Sequence, residues 1–490
     1  MSHIQTLRQL VTTRIGVRQW CVGVGAVLLT ATVLTLWSSP AWAIPAFARK
    51  YDIPCNGCHI PGFPKLNDVG NQFRDHGYQL GEEDDLPTYE GLGKGYWPVS
   101  FRTTVGYQYA TLHHSQGEDG LSHNLNSGSF GFTGLDILSF GLLARNVSFG
   151  IVYTPGLGSA GFNSGSSAGD GDLEAAFVRL DNIFHQDYLV NLKVGKYELD
   201  LPASEKRSPT LNTEFVMYHY TAGTPYTTSL GNPCAINAAT CAATPIGYGN
   251  ANDFSLGENQ SGAELAGIHS FHGNFFRYSL NALSNSNLNQ GATGGGRALN
   301  FYGRITQSFK GYGVVSGQRI GVFGAYGVAP TSPSAACPSG GCGAIGGGNQ
   351  PFSRVGADVS LTAFGQFNLI GAAMRAYDSS KLFGTGAGVQ DAVWYGGFAE
   401  VDYNPKQLPE WLFIYRYDLI RNSQQGVTGV TGSFNDVDSH TAMARYYFVV
   451  SNRVDTTFHL EYNYYRTKNT SPTGGDQYGQ TALIGFDFAL

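Results

Sequence analysis

The chain has 490 residues, a formal net charge of −6 and only 13% charged side chains, set against 66 Gly, 28 Tyr and 30 Phe. Nothing basic is clustered, which argues against a nucleic-acid partner. Beyond one N-terminal apolar run, no stretch approaches the ~20 apolar residues that a transmembrane helix needs. Gly-rich, aromatic-rich sequence with many short alternating runs points instead to a large β-barrel.

The N-terminus reads as a targeting segment. Arg8, Arg14 and Arg18 give a positive start, Val22 to Leu36 is apolar, and Ala41-Trp42-Ala43 is a small-residue cleavage site. Residues 1–43 are therefore expected to be a cleaved signal peptide, with Ile44 the first mature residue. A membrane anchor is the alternative, but the apolar run is short for a span.

The next segment, 44–95, holds Cys55-Asn56-Gly57-Cys58-His59. Two cysteines spaced by two residues and followed at once by histidine form the signature for covalent attachment of haem c. Cys55 and Cys58 would each form a thioether to a porphyrin vinyl group, and His59 would be the proximal iron ligand. A thioredoxin-like CxxC or half of a zinc site are the alternatives; no second CxxC accompanies it. Leu66 to His76 is expected to form a short helix, with Gly77 as its stop. About fifty residues make a small free-standing domain, so this segment should pack on something larger.

From residue 96 the period becomes two. Trp97, Val99, Phe101, Thr103, Val105, Tyr107 and Tyr109 share one face, and Ser100, Arg102, Thr104, Gly106 and Gln108 the other. Near the end, Val454, Thr456, Phe458, Leu460, Tyr462 and Tyr464 oppose Asp455, Thr457, His459, Glu461 and Asn463. Apolar-out, polar-in alternation over ~10 residues per strand is the membrane-barrel pattern. A soluble sandwich would seldom place Trp97, Tyr107, Trp411 and Tyr417 so regularly near strand ends.

About sixteen antiparallel strands are expected over 96–490, starting near 96, 129, 147, 172, 188, 262, 274, 298, 318, 353, 366, 391, 410, 439, 453 and 478. Connections after even strands are mostly short, as at Arg145-Asn146 and His272-Gly273. Those after odd strands are long, including 110–127, 200–260 and 329–352. Short turns on one side and long loops on the other fit an outer-membrane barrel with both ends periplasmic. The 44–95 segment would then enter at the periplasmic mouth as a plug, and the long loops would be extracellular. The loop at 329–352 carries no charged side chain, which fits an acidic exterior.

Four more cysteines fall in long loops. Cys234-Cys241 and Cys337-Cys342 read as two local disulfides in an oxidising compartment, a metal site being the alternative. Lumen-facing charges are expected at Arg102, Arg375, Glu400, Asp402, Arg416, Asp418, Asp455, Glu461 and Asp487, holding the plug, meeting haem propionates or solvating the lumen.

The residues Pro45-Ala46-Phe47-Ala48-Arg49-Lys50, the haem motif, Phe63-Pro64-Lys65-Leu66-Asn67, Gly70, Phe73 and Gly77-Tyr78 resemble the fused outer-membrane monohaem cytochrome c–porins of iron-oxidising bacteria, most of all those of acidophilic iron oxidisers. The detailed resemblance covers residues 45–78; the barrel is similar in size and pattern. The resemblance implies an outer-membrane electron conduit that oxidises extracellular Fe(II) at one haem c. The electron would pass to a periplasmic c-type cytochrome or blue copper protein. Attachment at Cys55 and Cys58 and ligation by His59 carry over. His76 stands where many relatives have Asn, so a ligand role is not implied for it. The last residue, Leu490, departs from the usual terminal Phe.

The sixth haem ligand stays open between His76, another histidine of the barrel or loops, a methionine and an unfilled position. His76 is near in sequence, and its helix could fold over the ring. Methionine would raise the potential, but none lies in 44–95. Met217, in the long 200–260 loop, which could fold into the lumen, is the alternative, and Met374 and Met443 lie on strands. A second functional reading is a solute-transport porin whose haem segment is a plug or sensor. A third, a peroxidase or haem-ligand sensor, needs a distal acid/base pair that is not evident.

Overall fold

The computed structural model describes residues 46–81, 85–93, 97–116, 122–156, 171–211, 214–223, 250–284, 299–331, 348–384, 388–428, 436–451, 454–468 and 476–490. The expected signal peptide and all four loop cysteines lie outside these residues. No helix among the described residues is long and apolar enough to cross a membrane.

Sixteen antiparallel strands close into one barrel. The first eight are β1 Val99–Gln116, β2 Ser122–Ala144, β3 Val147–Thr154, β4 Asp172–Leu180, β5 Asn191–Tyr197, β6 Gln260–Phe271, β7 Asn274–Ser284 and β8 Leu299–Phe309. The others are β9 Gln318–Thr331, β10 Gly348–Ala363, β11 Phe367–Asp378, β12 Ala392–Tyr403, β13 Trp411–Gln424, β14 Val437–Val450, β15 Asp455–Thr467 and β16 Gln477–Ala489. Each strand pairs with its sequence neighbours. Closure comes from β1 on β16, in register from Arg102↔Ala489 to His113↔Tyr478.

Short connections lie at one rim. The β6–β7 turn puts His272 at φ 49° and Gly273 at φ 74°. Positive φ at both central residues gives the twist that a two-residue hairpin requires. At the other rim β1 and β2 run further than expected. Their ladder continues through Ala110↔Ser127 and Leu112↔Leu125 to Gln116↔Ser122, so strand occupies most of the expected 110–127 loop. Residues beyond 109 lose their apolar alternation while keeping their hydrogen bonds, which hides strand from a reading based on periodicity. By contrast β3, β4 and β5 have only 8, 9 and 7 residues.

Alternation holds around the wall. On β15, His459, Glu461 and Asn463 are fully buried while Leu460 and Tyr462 are exposed. Phe101, Val105, Tyr107, Ile305, Val322, Val355, Ile484 and Phe486 join the exposed apolar belt. A closed barrel with this belt is the outer-membrane architecture.

Part of the lumen is filled by the chain itself. From 198 the chain turns inward, carrying Leu199, Leu201, Phe215, Val216, Met217, Tyr218 and Tyr220. They pack in one buried cluster with Ile370, Met374, Trp394, Phe398 and Ile420 of the wall. Phe215 lies 4.5 Å from Phe398, and the Arg416 guanidinium 4.1 Å from the Phe215 ring. Burying each such side chain contributes roughly 2 kcal/mol. Polar ties fix the rest: Leu211 N–H donates to Glu461 (2.7 Å) and Arg416 to the Glu214 carbonyl (3.1 Å).

Eight of the nine expected lumen charges face inward. Arg375 is the correction. It is exposed on the outer face between Val355 and Tyr395, because Met374, only 3% exposed, takes the inward slot.

Candidate haem-binding site

The N-terminal segment sits in the short-turn mouth. It contains helices α1 Ala46–Tyr51, α2 Asp68–Asp75 and α3 Thr88–Gly93. Cys55–Gly57 forms one 3₁₀ turn, in which His59 N–H returns to the Cys55 carbonyl at 2.9 Å. Asn67 then organises the motif. Its side chain caps α2 by accepting from Gly70 N–H (2.9 Å) and donates to the Gly57 carbonyl (3.1 Å), while its own N–H donates to the Cys58 carbonyl (2.9 Å). Gly70 has no room for a side chain: a Cβ would lie 2.2 Å from the Cys58 carbonyl oxygen. Gly77, at φ 67°, ends the helix as expected.

The mouth grips this segment from many sides. Ala46 N–H donates to Ser100 Oγ (2.7 Å) and Cys55 N–H to the Ser451 carbonyl (3.0 Å). Phe63 N–H donates to Asp455 (2.7 Å), and Lys65 pairs with Asp402. Asp75 is the central clamp. It pairs with Arg74 (3.0 Å) and Arg277 (3.2 Å) and accepts from the Tyr312 hydroxyl. Burial would raise its pKa, but Arg277 and Arg74 outweigh burial and hold it below the usual range. Of the expected lumen charges, Asp402 and Asp455 therefore hold the plug, whereas Arg416 and Glu461 hold the inward loop.

A cavity of about 370 Å³ opens beside the motif, lined by Cys55, Cys58 and His59. That volume lies within the range of cofactor sites. Aromatic rings form one side: Phe47 lies 4.8 Å from Phe73 and 5.2 Å from Tyr78, and Tyr78 lies 5.6 Å from Phe140. The cavity runs along the low wall of β3–β5. It extends from Ala489 and Ser100 at the short-turn rim to Glu174, Glu198 and Asn259 at the long-loop ends of β4, β5 and β6.

The residues present fit a covalently attached haem. Cys55 and Cys58 are not bonded to each other. Burial pushes the Cys55 thiol up to about 12, with Asp455 adding to it, and raises Cys58. A thioredoxin-like pair needs the opposite, a depressed thiol pKa. His59 lies beside the backbone of Pro64 and Lys65, and its buried Nδ1 lacks a well-formed hydrogen bond. Burial pushes this imidazole down to about 4, which keeps it neutral, the form that binds iron. Among the described residues no cluster of three His, Cys, Asp or Glu could hold a metal ion by itself.

The sixth-ligand candidates lie elsewhere. His76 caps α2 and stacks on Tyr188 at 4.3 Å and 15°, outside the cavity lining. Met217 is 1% exposed within the inward loop's core, in the one-turn helix α4 Val216–His219. Met374 and Met443 are buried inward on β11 and β14. None of these three methionines lines the cavity, and His59 is its one histidine among the described residues. The sequence reading missed Asn67 as the organiser and Asp75 as the clamp. The short distance from Asn67 to the motif was the available signal for the first.

Fold and site together define an outer-membrane-type barrel with an N-terminal plug. No family model matches the chain, and no curated protein matches it. Among solved structures it is similar to the anion-selective porin from Comamonas acidovorans, at 12% identity and a TM-score of 0.47, over 80% of this chain and 99% of that one. OprB of Pseudomonas putida gives 10% and 0.44 over 82% and 96%. The outer-membrane channel DcaP of Acinetobacter baumannii gives 9% and 0.41 over 79% and 97%. At these scores the likeness carries no functional inference.

Proposed function

We propose that the chain is an outer-membrane electron conduit, an oxidoreductase that oxidises extracellular Fe(II) and delivers the electron to a periplasmic c-type cytochrome or blue copper protein. One observation carries the reading: Cys55, Cys58 and His59 converge on a single cavity of about 370 Å³ in the mouth of a barrel. A bound haem c supplies one-electron redox chemistry. The chain's part is to hold it. Cys55 and Cys58 offer the two thioether sulfurs, and His59 offers a buried neutral imidazole. Phe47, Phe73 and Tyr78 exclude water from one side of the cavity. The packed inward loop and the buried ion pairs of the wall behind it, such as Arg416–Asp418 (2.8 Å), leave the rest of the lumen poorly suited to solute flow.

The cavity's reach along β3–β5 supports contact with both faces of the membrane. In this reading the short-turn rim is periplasmic and the long-loop rim extracellular. Substituting Cys55→Ala is expected to abolish Fe(II) oxidation by cells while leaving the barrel assembled. Undiminished oxidation would exclude the proposal. A second reading, a solute-transport porin with a haem-bearing plug, is favoured by the sixteen-strand barrel itself. It requires solute flux in liposomes that does not depend on Cys55.

A further inference from the structure

We propose that Arg102, Lys206 and Arg207 form the carboxylate-binding corner of the cavity and take the two propionates of the porphyrin. The inference rests on the haem reading above. A porphyrin brings two carboxylates into the cavity, and burying them without cations is costly. The cavity is lined by several cations, and most are already saturated. Arg179 pairs with Asp181 at 2.8 Å and donates to the Arg74 and Asp75 carbonyls. Arg277 holds Asp75 and Asp200 at 3.2 and 3.1 Å, Arg74 is taken by Asp75, and Lys193 by Glu264.

The remaining three are adjacent, and two of them, Arg102 and Lys206, have only long ion-pair contacts. Arg102 lies 3.9 Å from Asp136 and donates to the Lys206 carbonyl at 3.4 Å. That bond brings β1 against the 206–207 segment. Lys206 is 3.8 Å from Glu174 with 40% of its side chain exposed. Arg207 pairs with Glu198 but keeps 32% of its side chain exposed. The corner also lies close to the iron ligand. The Arg102 guanidinium stands 5.6 Å from the Phe63 ring, which is 5.3 Å from the His59 ring. Arginine suits the task, because its planar fork matches a carboxylate.

The test uses the full-length protein, purified with its covalent haem. Arg102→Gln and Arg207→Gln are compared with wild type by haem stain, spectroelectrochemical titration and resonance Raman of the propionate bending modes. Removing a cation beside the ring favours the ferric state. The ferrous-to-ferric ratio at fixed potential should fall three- to tenfold, ~30–60 mV at ~59 mV per tenfold for one electron. Arg102→Lys should recover at least half of that shift. Haem retained with a ratio within about 1.5-fold of wild type in both Gln variants overturns the proposal. Should neither variant fold, the wild type decides alone. Its propionate modes should stay constant between about pH 3 and 7, where a free carboxylic acid titrates; a mode that titrates there overturns the proposal. Wild-type protein without covalent haem is a separate result, and it overturns the haem reading instead.

Discussion

Asp75→Asn is the sharpest test of how the plug is held. Asp75 is 7% exposed and serves Arg74, Arg277 and Tyr312 together. Removing one partner of a buried ion pair costs ~3–5 kcal/mol. Two features reduce this. Arg277 keeps Asp200 at 3.1 Å, and the Asn oxygen still accepts one hydrogen bond. The net cost should be ~2–3 kcal/mol, which multiplies the population of the undocked plug by roughly 30–150 at ~1.4 kcal/mol per tenfold. Hydrogen–deuterium exchange of the α2 amides in detergent-solubilised protein reads that population directly, since they exchange when the plug opens. Tyr89→Ser, at a side chain 65% exposed, is the control. Exchange less than threefold faster in Asp75→Asn would refute the clamp.

Gly70→Ala should block haem attachment, because its Cβ would meet the Cys58 carbonyl oxygen at 2.2 Å; a haem stain equal to wild type would contradict this. His76→Ala should leave the haem absorption spectrum and midpoint unchanged and cost ~1 kcal/mol for the lost stacking on Tyr188. A shifted spectrum would show that His76 reaches the iron. His219 governs the inward loop. Its Nε2–H donates to the Glu205 carboxylate at 2.6 Å. Burial would lower its pKa, but Glu205, Glu214 and Glu258 together outweigh burial and raise it from 6.5 to about 9. Its folded value is the higher one, so its contribution is complete below pH 6.5 and lost as pH rises through about 9. Exchange protection of residues 214–223 should therefore weaken between pH 6.5 and about 9; constant protection across that window would rule the ion pair out as a support.

Much of this architecture was legible in the sequence because both signals are local. The haem motif occupies five consecutive residues, and strand alternation needs only neighbours, as β15 illustrates. The 200–260 stretch allowed an inward loop, but having no single period it did not show which residues would pack against the wall. A signal did exist on the opposite wall. Ile370, Ala372, Met374, Trp394, Phe398 and Ile420 occupy inward positions where a water-filled barrel would place polar side chains, so something apolar had to cover them. Arg375 was misplaced for the same reason, since polar-in alternation was assumed where the lumen is apolar. The Asp75–Arg277–Asp200 clamp joins residues scattered over some two hundred positions, and only the folded chain brings them together.

The low wall of β3–β5 bears on the lipid around the barrel. Strands of 8, 9 and 7 residues rise about 3.3 Å per residue. At a tilt of ~40° that is a height of roughly 18–23 Å, short of the ~25 Å apolar band. Strands elsewhere in the barrel, such as the 18 residues of β1 and 14 of β13, exceed it. On this one flank the barrel is mismatched to the bilayer, at a fraction of a kcal/mol per Å. The molecule is thus an asymmetric inclusion in its membrane, mismatched on the side where the cavity runs.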